Sequence, residues 1–299
     1  MNRSVCIFLN VFLLVFLNVA NANEWLNLQV EKLSADEFGF LEGPAWDGKD
    51  KLYFSDIPNN NIHIFNLKTR TFAKFLTDSE EANGLMFDRQ GHLLMCQQTP
   101  GKISRLNITS READTVVATF QGTRFNRPND LILDKHNGLY FTDPSWSENR
   151  PQKIRGLYYL NAQGKLDLLA DDFEKPNGLT LSKDEKTLYV VDSGSFQVRQ
   201  FEVVAPGKIK ELNTFAQLET DNPNQDSNAD GLALDEAGNV YITYRHGLAI
   251  YSKAGKKVTQ VKLPAAPSNV EFVGKDLYIT TANNLYRVQM PIAGVRFPQ

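Results

Sequence analysis

Six polar residues recur along this 299-residue chain in one context. Glu42, Asn83, Asn129, Asn177, Asp230 and Asn269 each open a short apolar run. Every one offers a side-chain oxygen. If the runs they open converge, these oxygens crowd around one axis, where they need a cation or abundant water. Two carboxylates plus amide oxygens, without His or Cys, favour a hard cation such as Ca²⁺ over Zn²⁺. The competing explanation is turn chemistry, since Asn-Gly and Asp-Gly are strong turn dipeptides. Against it, each run reaches a separate turn of its own further on.

The elements that position these residues are hairpins. Residues 177–181 alternate in polarity, turn at 182–186 and continue into a second β-rich run at 187–192. The same design recurs from Asn83, Asn129 and Asp230, and in shorter form from Glu42 and Asn269. Successive openers are 41, 46, 48, 53 and 39 residues apart. Such a period, with several short strands per unit, marks propeller blades. The expected fold is all-β: a six-bladed β-propeller of four-stranded antiparallel blades, forming one domain over residues 23–299. Two outer strands should follow each inner hairpin, as at 61–67 and 71–76. An orphan segment at 28–33 is expected to join the last blade and close the ring, because open sheet edges are a liability. That blade's own C-terminal strands are expected at 285–289 and 294–297.

If each first strand lines the channel, its opener sits at one mouth. The hairpin then carries the chain to the far face and back. Residues returning to the mouth are Ser55-Asp56, Gln97-Gln98, residues 143–146, Asp192-Ser193, Tyr244-Arg245-His246 and Asn283. His246 reads as a hydrogen-bonded rim residue rather than a catalytic one.

Residues 1–22 read as a secretory signal peptide: basic Arg3, an apolar run at 5–19, and Ala20-Asn21-Ala22 before the cut. Asn10 and Asn18 and the shortness of the run disfavour a membrane anchor. The expected protein is exported, periplasmic or secreted, and free of the membrane after cleavage. Loss of Arg3 takes 32 basic residues to 31 against 35 acidic, a net charge of −4. No basic stripe suggests nucleic acid. The mature chain keeps one cysteine, Cys96, which fits a buried structural thiol. A monomer is expected.

Several segments together carry a resemblance. Glu42-Gly43-Pro44-Ala45-Trp46, Arg127-Pro128-Asn129-Asp130, Phe141-Thr142-Asp143-Pro144, Pro176-Asn177-Gly178-Leu179 and Ala229-Asp230-Gly231-Leu232 resemble the gluconolactonase/regucalcin family of six-bladed propeller lactonases. The resemblance runs from about residue 38 to the end of the chain. It implies that Glu42, Asn177 and Asp230 hold one divalent cation. Ca²⁺ is preferred, with Zn²⁺, Mg²⁺ and Mn²⁺ as alternatives. Asn129 falls where a fourth ligand or a substrate-contacting amide is expected, and Asp230 where the general base is expected. By the same resemblance Arg127, Asp143 and Trp146 contact a small sugar-like substrate. Asp130, whose phase points it away from Asn129, and Asn83 are assigned to the layer behind the ligands.

The implied reaction is metal-assisted opening of a lactone, most simply a sugar lactone. No Gly-x-Ser-x-Gly elbow argues for a serine hydrolase. Two rivals share the pattern: a phosphotriesterase- or aryl-esterase-like hydrolase on the same metal, and a non-catalytic binding propeller with a structural metal.

Overall fold

A computed structural model describes residues 24–25, 27–34, 38–146, 150–219 and 229–298. The expected leader at 1–22 lies outside them. Among the described residues no helix is long and apolar enough to cross a membrane. The chain forms six four-stranded antiparallel sheets, the blades of a β-propeller. Their inner strands are Leu41–Trp46, Ala82–Phe87, Leu131–Leu133, Pro176–Leu181, Leu232–Leu234 and Pro267–Val273. The first five blades each take four consecutive strands. Blade one, for example, continues through Lys51–Asp56, Asn61–Asn66 and Thr71–Thr77.

The last blade is composite. Val30–Lys32 pairs antiparallel with Leu285–Gln289, with Val30 opposite Val288 and Lys32 opposite Tyr286. This occupies the blade's outer edge, which corrects the expectation for residues 294–297. They form no further strand there. Instead Gly294 bridges Asp235, and the Val295 amide donates to the Leu234 carbonyl at 2.8 Å. Val295 and Phe297 thereby line the far part of the channel.

Inner strands are buried on both sides, as shown by uninterrupted burial across Ala82–Phe87 and Pro176–Leu181. The core therefore lies between neighbouring blades. Aromatic rings interlock there: Tyr53 meets Phe87 of the next blade at 5.0 Å, and Tyr241 meets Phe272 at 5.0 Å. Edge-to-face pairs of this kind add about 0.5–1.5 kcal/mol beyond their burial. Cys96 is fully buried, and burial pushes its thiol well above the ordinary range.

A ring of hydrogen bonds fixes the openers. Ser55 and Thr142 hydroxyls donate to the carbonyls of Asn83 and Asn177 in the next blades, each at 2.8 Å. Ser193 donates likewise to Ala229, Thr243 to Ser268, and Ser268 to Leu41. Between blades two and three the Gly84 amide donates to the Asn129 carbonyl at 2.8 Å. This contact explains the recurrent Asn-Gly pair. A Cβ on Gly84 would lie 2.6 Å from the Asn129 oxygen, and one on Gly178 2.2 Å from the Asp230 oxygen. The glycine serves close approach between blades rather than a hairpin turn.

Candidate functional site

Five of the six openers, Glu42, Asn83, Asn129, Asn177 and Asp230, line one cavity of about 330 Å³ at the mouth of the channel. Four inner strands carry a register shift at this end, between Glu42 and Ala45, Ala82 and Leu85, Pro176 and Leu179, and Pro267 and Val270. Such bulges re-aim side chains that regular pleating would point elsewhere. The sixth opener, Asn269, serves differently. Its Oδ1 accepts from its neighbour Val270, and its Nδ2 donates to Glu42 Oε2 at 3.1 Å and Asp130 Oδ2 at 3.3 Å. It holds two carboxyls in place from below.

The electrostatics are those of acids kept close together. Burial raises Glu42 above its ordinary value, opposed by hydrogen bonds from the Gly43 amide and Asn269 and by one shared with Asp230. Burial, then the charge of Glu42 and the shared bond, lift Asp230 well above the ordinary range. Asp130 is pushed up to about 7, chiefly by burial. Without positive charge between them, adjacent carboxyls hold a proton in common.

Two amide oxygens decide what could replace that proton. Asn177 Nδ2 donates to Ser193 Oγ at 3.0 Å and to the Ala229 carbonyl at 3.4 Å. Among the described residues its buried Oδ1 has no hydrogen-bond partner, and neither has Asn83 Oδ1. Buried oxygens without donors are costly unless something positive meets them. The donor set therefore fits a hard divalent cation held by Glu42, Asn177 and Asp230, with Asn83 and Asn129 beside them.

The structure redistributes the other expected residues. Asn83 lies on the cavity wall with Glu42, Asn177 and Asp230 and not behind them. Asp130 is absent from this wall and lines the channel beyond it, its Oδ1 accepting the Leu131 amide at 2.9 Å. Trp146 lines the cavity and is 46% exposed. Asp143 is a correction: it is fully buried and does not line the cavity. Its two oxygens accept the Asn126 and Arg127 amides, both at 2.8 Å, which ties it to the loop before Asn129. Arg127 is also off the cavity wall; its guanidinium meets Glu81 and Gln98. His246 packs on Tyr244 with ring centres 5.5 Å apart, away from the cavity.

Sequence reasoning assigned no role to Gln98 or Ser193, although the return phase put both at this mouth. It missed the apolar wall of Phe40, Ile57, Ala266 and Pro267.

Residues 40–283 match the family model for the SMP-30/gluconolactonase/LRE-like region. The chain belongs to that family. Among curated family members, the Zymomonas mobilis gluconolactonase is 27% identical over 289 residues, covering 87% of this chain and 81% of the relative. Regucalcin from Sus scrofa is 26% identical over 257 residues, covering 81% and 83%. Among solved structures, a Xanthomonas campestris gluconolactonase superposes with a TM-score of 0.80 at 26% identity, covering 90% of this chain and 92% of that one.

Proposed function

We propose that this protein is a divalent-cation-dependent lactonase acting on a sugar lactone. The observation that carries the reading is the convergence of Glu42, Asn177 and Asp230 on one cavity, with Asn177 Oδ1 buried and unpartnered. The 27% identical relative named gluconolactonase supports the substrate class. A cation bound there would polarise the lactone carbonyl and stabilise the developing oxyanion. Asp230 takes the proton of the attacking water; a cation bound beside it would lower its proton affinity, so it serves as a weak base toward an already activated water. Asn269 keeps Glu42 oriented toward the cavity. The apolar wall of Phe40, Ile57 and Pro267 excludes bulk water from one side of the ring.

The test is hydrolysis of a lactone panel before and after exhaustive chelation, with Ca²⁺, Zn²⁺, Mg²⁺ and Mn²⁺ added back singly. Activity lost to chelator and restored by one of these ions is the expected result. Unchanged turnover after chelation would remove the metal from the reaction. An aryl ester and a phosphotriester in the same panel address the rival hydrolase reading, and turnover of those two alone would favour it. The leader at 1–22 stands as a separate proposal: the native protein should begin at Asn23, and N-terminal sequencing that returned Met1 would overturn it.

A further inference from the structure

Blade two differs from the blades on either side of it. In blades one, three and four the second strand ends in Asp56, Asp143 and Asp192, each accepting two backbone amides from the loop before the opener. Gln97 stands at the equivalent place in blade two, followed by Gln98. The loop before Asn83 is held differently. Gln97 Nε2 donates to the Ser79 carbonyl at 3.1 Å, and Asn60 Oδ1 accepts the Glu81 amide at 2.8 Å. Asp78, Glu80 and Glu81 have φ of 54°, 58° and 53°, a left-handed conformation that side-chain-bearing residues avoid. Strain of this kind persists only where the surroundings enforce it, and it gathers at functional sites.

That loop points the Glu81 carboxylate at Arg127. Arg127 Nη2 donates to Glu81 Oε2 at 2.8 Å, and its Nε donates to Gln98 Oε1 at 2.8 Å. A second bond joins Nη2 to the same Gln98 oxygen. Guanidinium has only donors, so the Gln98 amide cannot be reversed. Its Nε2 must face the other way. Gln98 is 5% exposed and lines the cavity, and among the described residues nothing accepts from Nε2.

We propose that Gln98 is a substrate-contact residue whose Nε2 donates to a ring hydroxyl of the lactone, with Arg127 and Glu81 as its positioning residues. The assignment rests on the lactonase reading and deepens it to a substrate class. Arg127's charge is matched by Glu81, and among the described lining residues there is no Lys, Arg or His beside Glu42 and Asp230. The class is therefore an uncharged, hydroxyl-bearing lactone, not a phosphorylated or carboxylated one.

The test compares kcat/KM for glucono-δ-lactone, which bears ring hydroxyls, with that for δ-valerolactone, which has none. The preference for the hydroxylated lactone should fall about tenfold in Gln98→Ala, mainly through KM, as expected for one lost hydrogen bond. Arg127→Ala should lose the same preference, the double variant should lose no more, and Arg127→Lys should restore part of it. A purely structural role would reduce both lactones alike, and that outcome overturns the proposal. So do additive losses in the double variant. A wild type that opens both lactones with the preference untouched in Gln98→Ala overturns this assignment alone. A wild type that opens neither overturns the lactonase reading, and this one with it.

Discussion

The mouth of the propeller holds two kinds of acid, and they are treated in opposite ways. At the rim, Asp56, Asp143 and Asp192 each accept consecutive amides: Gly39 and Phe40, Asn126 and Arg127, Glu174 and Lys175. On the axis, Glu42 and Asp230 face each other and an open cavity. Rim acids tie down the loops that aim the openers. Axis acids are the groups so aimed, and their crowding costs stability. A hydrogen bond to a charged group contributes about 1.5–3 kcal/mol, so the rim contacts can hold what the axis would push apart. Burial still acts on one of them: Asp143 is pushed up to about 7 despite its two amide bonds.

If that division is right, the largest effect belongs to the axis. Asp230→Asn keeps an oxygen for the cation but removes the proposed base. Turnover should fall by about 10²-fold or more, while calorimetry still detects metal binding. Glu42→Gln should weaken metal binding first and lose activity as a consequence. An Asp230→Asn enzyme with near-normal turnover at saturating metal would move the base elsewhere, to Asp130 before Asp143, whose oxygens face away from the cavity.

Next in size is a rim acid. Asp143→Ala strands two buried amides and should destabilise the fold by about 2–4 kcal/mol in urea melts. Removing an axis acid should do the reverse. In chelator, Asp230→Asn relieves the repulsion with Glu42 and should raise stability by about 1–2 kcal/mol. Equal signs for the two variants would erase the distinction between rim and axis.

The ring itself was legible because the inner hairpin repeats its residue types, and repetition survives without coordinates. The convergence of the openers followed from blade geometry. What could not be read was the direction of individual atoms. Asn83 and Asn177 both precede Gly-Leu, and nothing local tells that both leave an oxygen unpartnered while Asn269 turns its own onto Val270. The resemblance gave Asp143 a substrate contact, and nothing near it in sequence shows that the amides it accepts come from 16 and 17 residues earlier. Gln98 needed Arg127, 29 residues away, before its amide had a defined orientation. Residues 294–297 have the composition of a strand, but Val30–Lys32 already holds the edge they would have joined.

The smallest expected effect concerns pH, and it separates two acids by sign. Burial opposes ionisation of Asp56, but the His63 ring 3.7 Å away and hydrogen bonds from Asn59 and the Phe40 and Gly39 amides outweigh it and hold its carboxyl below the ordinary 3.8. Its contribution to stability is therefore present above pH 3.8 and lost as pH falls through the folded value. Glu271 lies in the channel beneath the site, half-buried, and burial lifts it to about 8 from 4.5, with Arg296 opposing. The folded protein holds that proton more tightly than the unfolded chain. Its contribution is full below pH 4.5 and disappears as pH rises through about 8. One such group gives a slope of at most about 1.4 kcal/mol per pH unit, less here because Glu271 is not fully enclosed. Urea melts across pH should show Glu271→Gln flattening the decline between those two values, and Asp56→Asn flattening only the acid limb. If Glu271→Gln left the neutral limb unchanged, the proton held beneath the site would lie on Asp130 instead, whose Oδ2 accepts from the same Asn269 amide as Glu42.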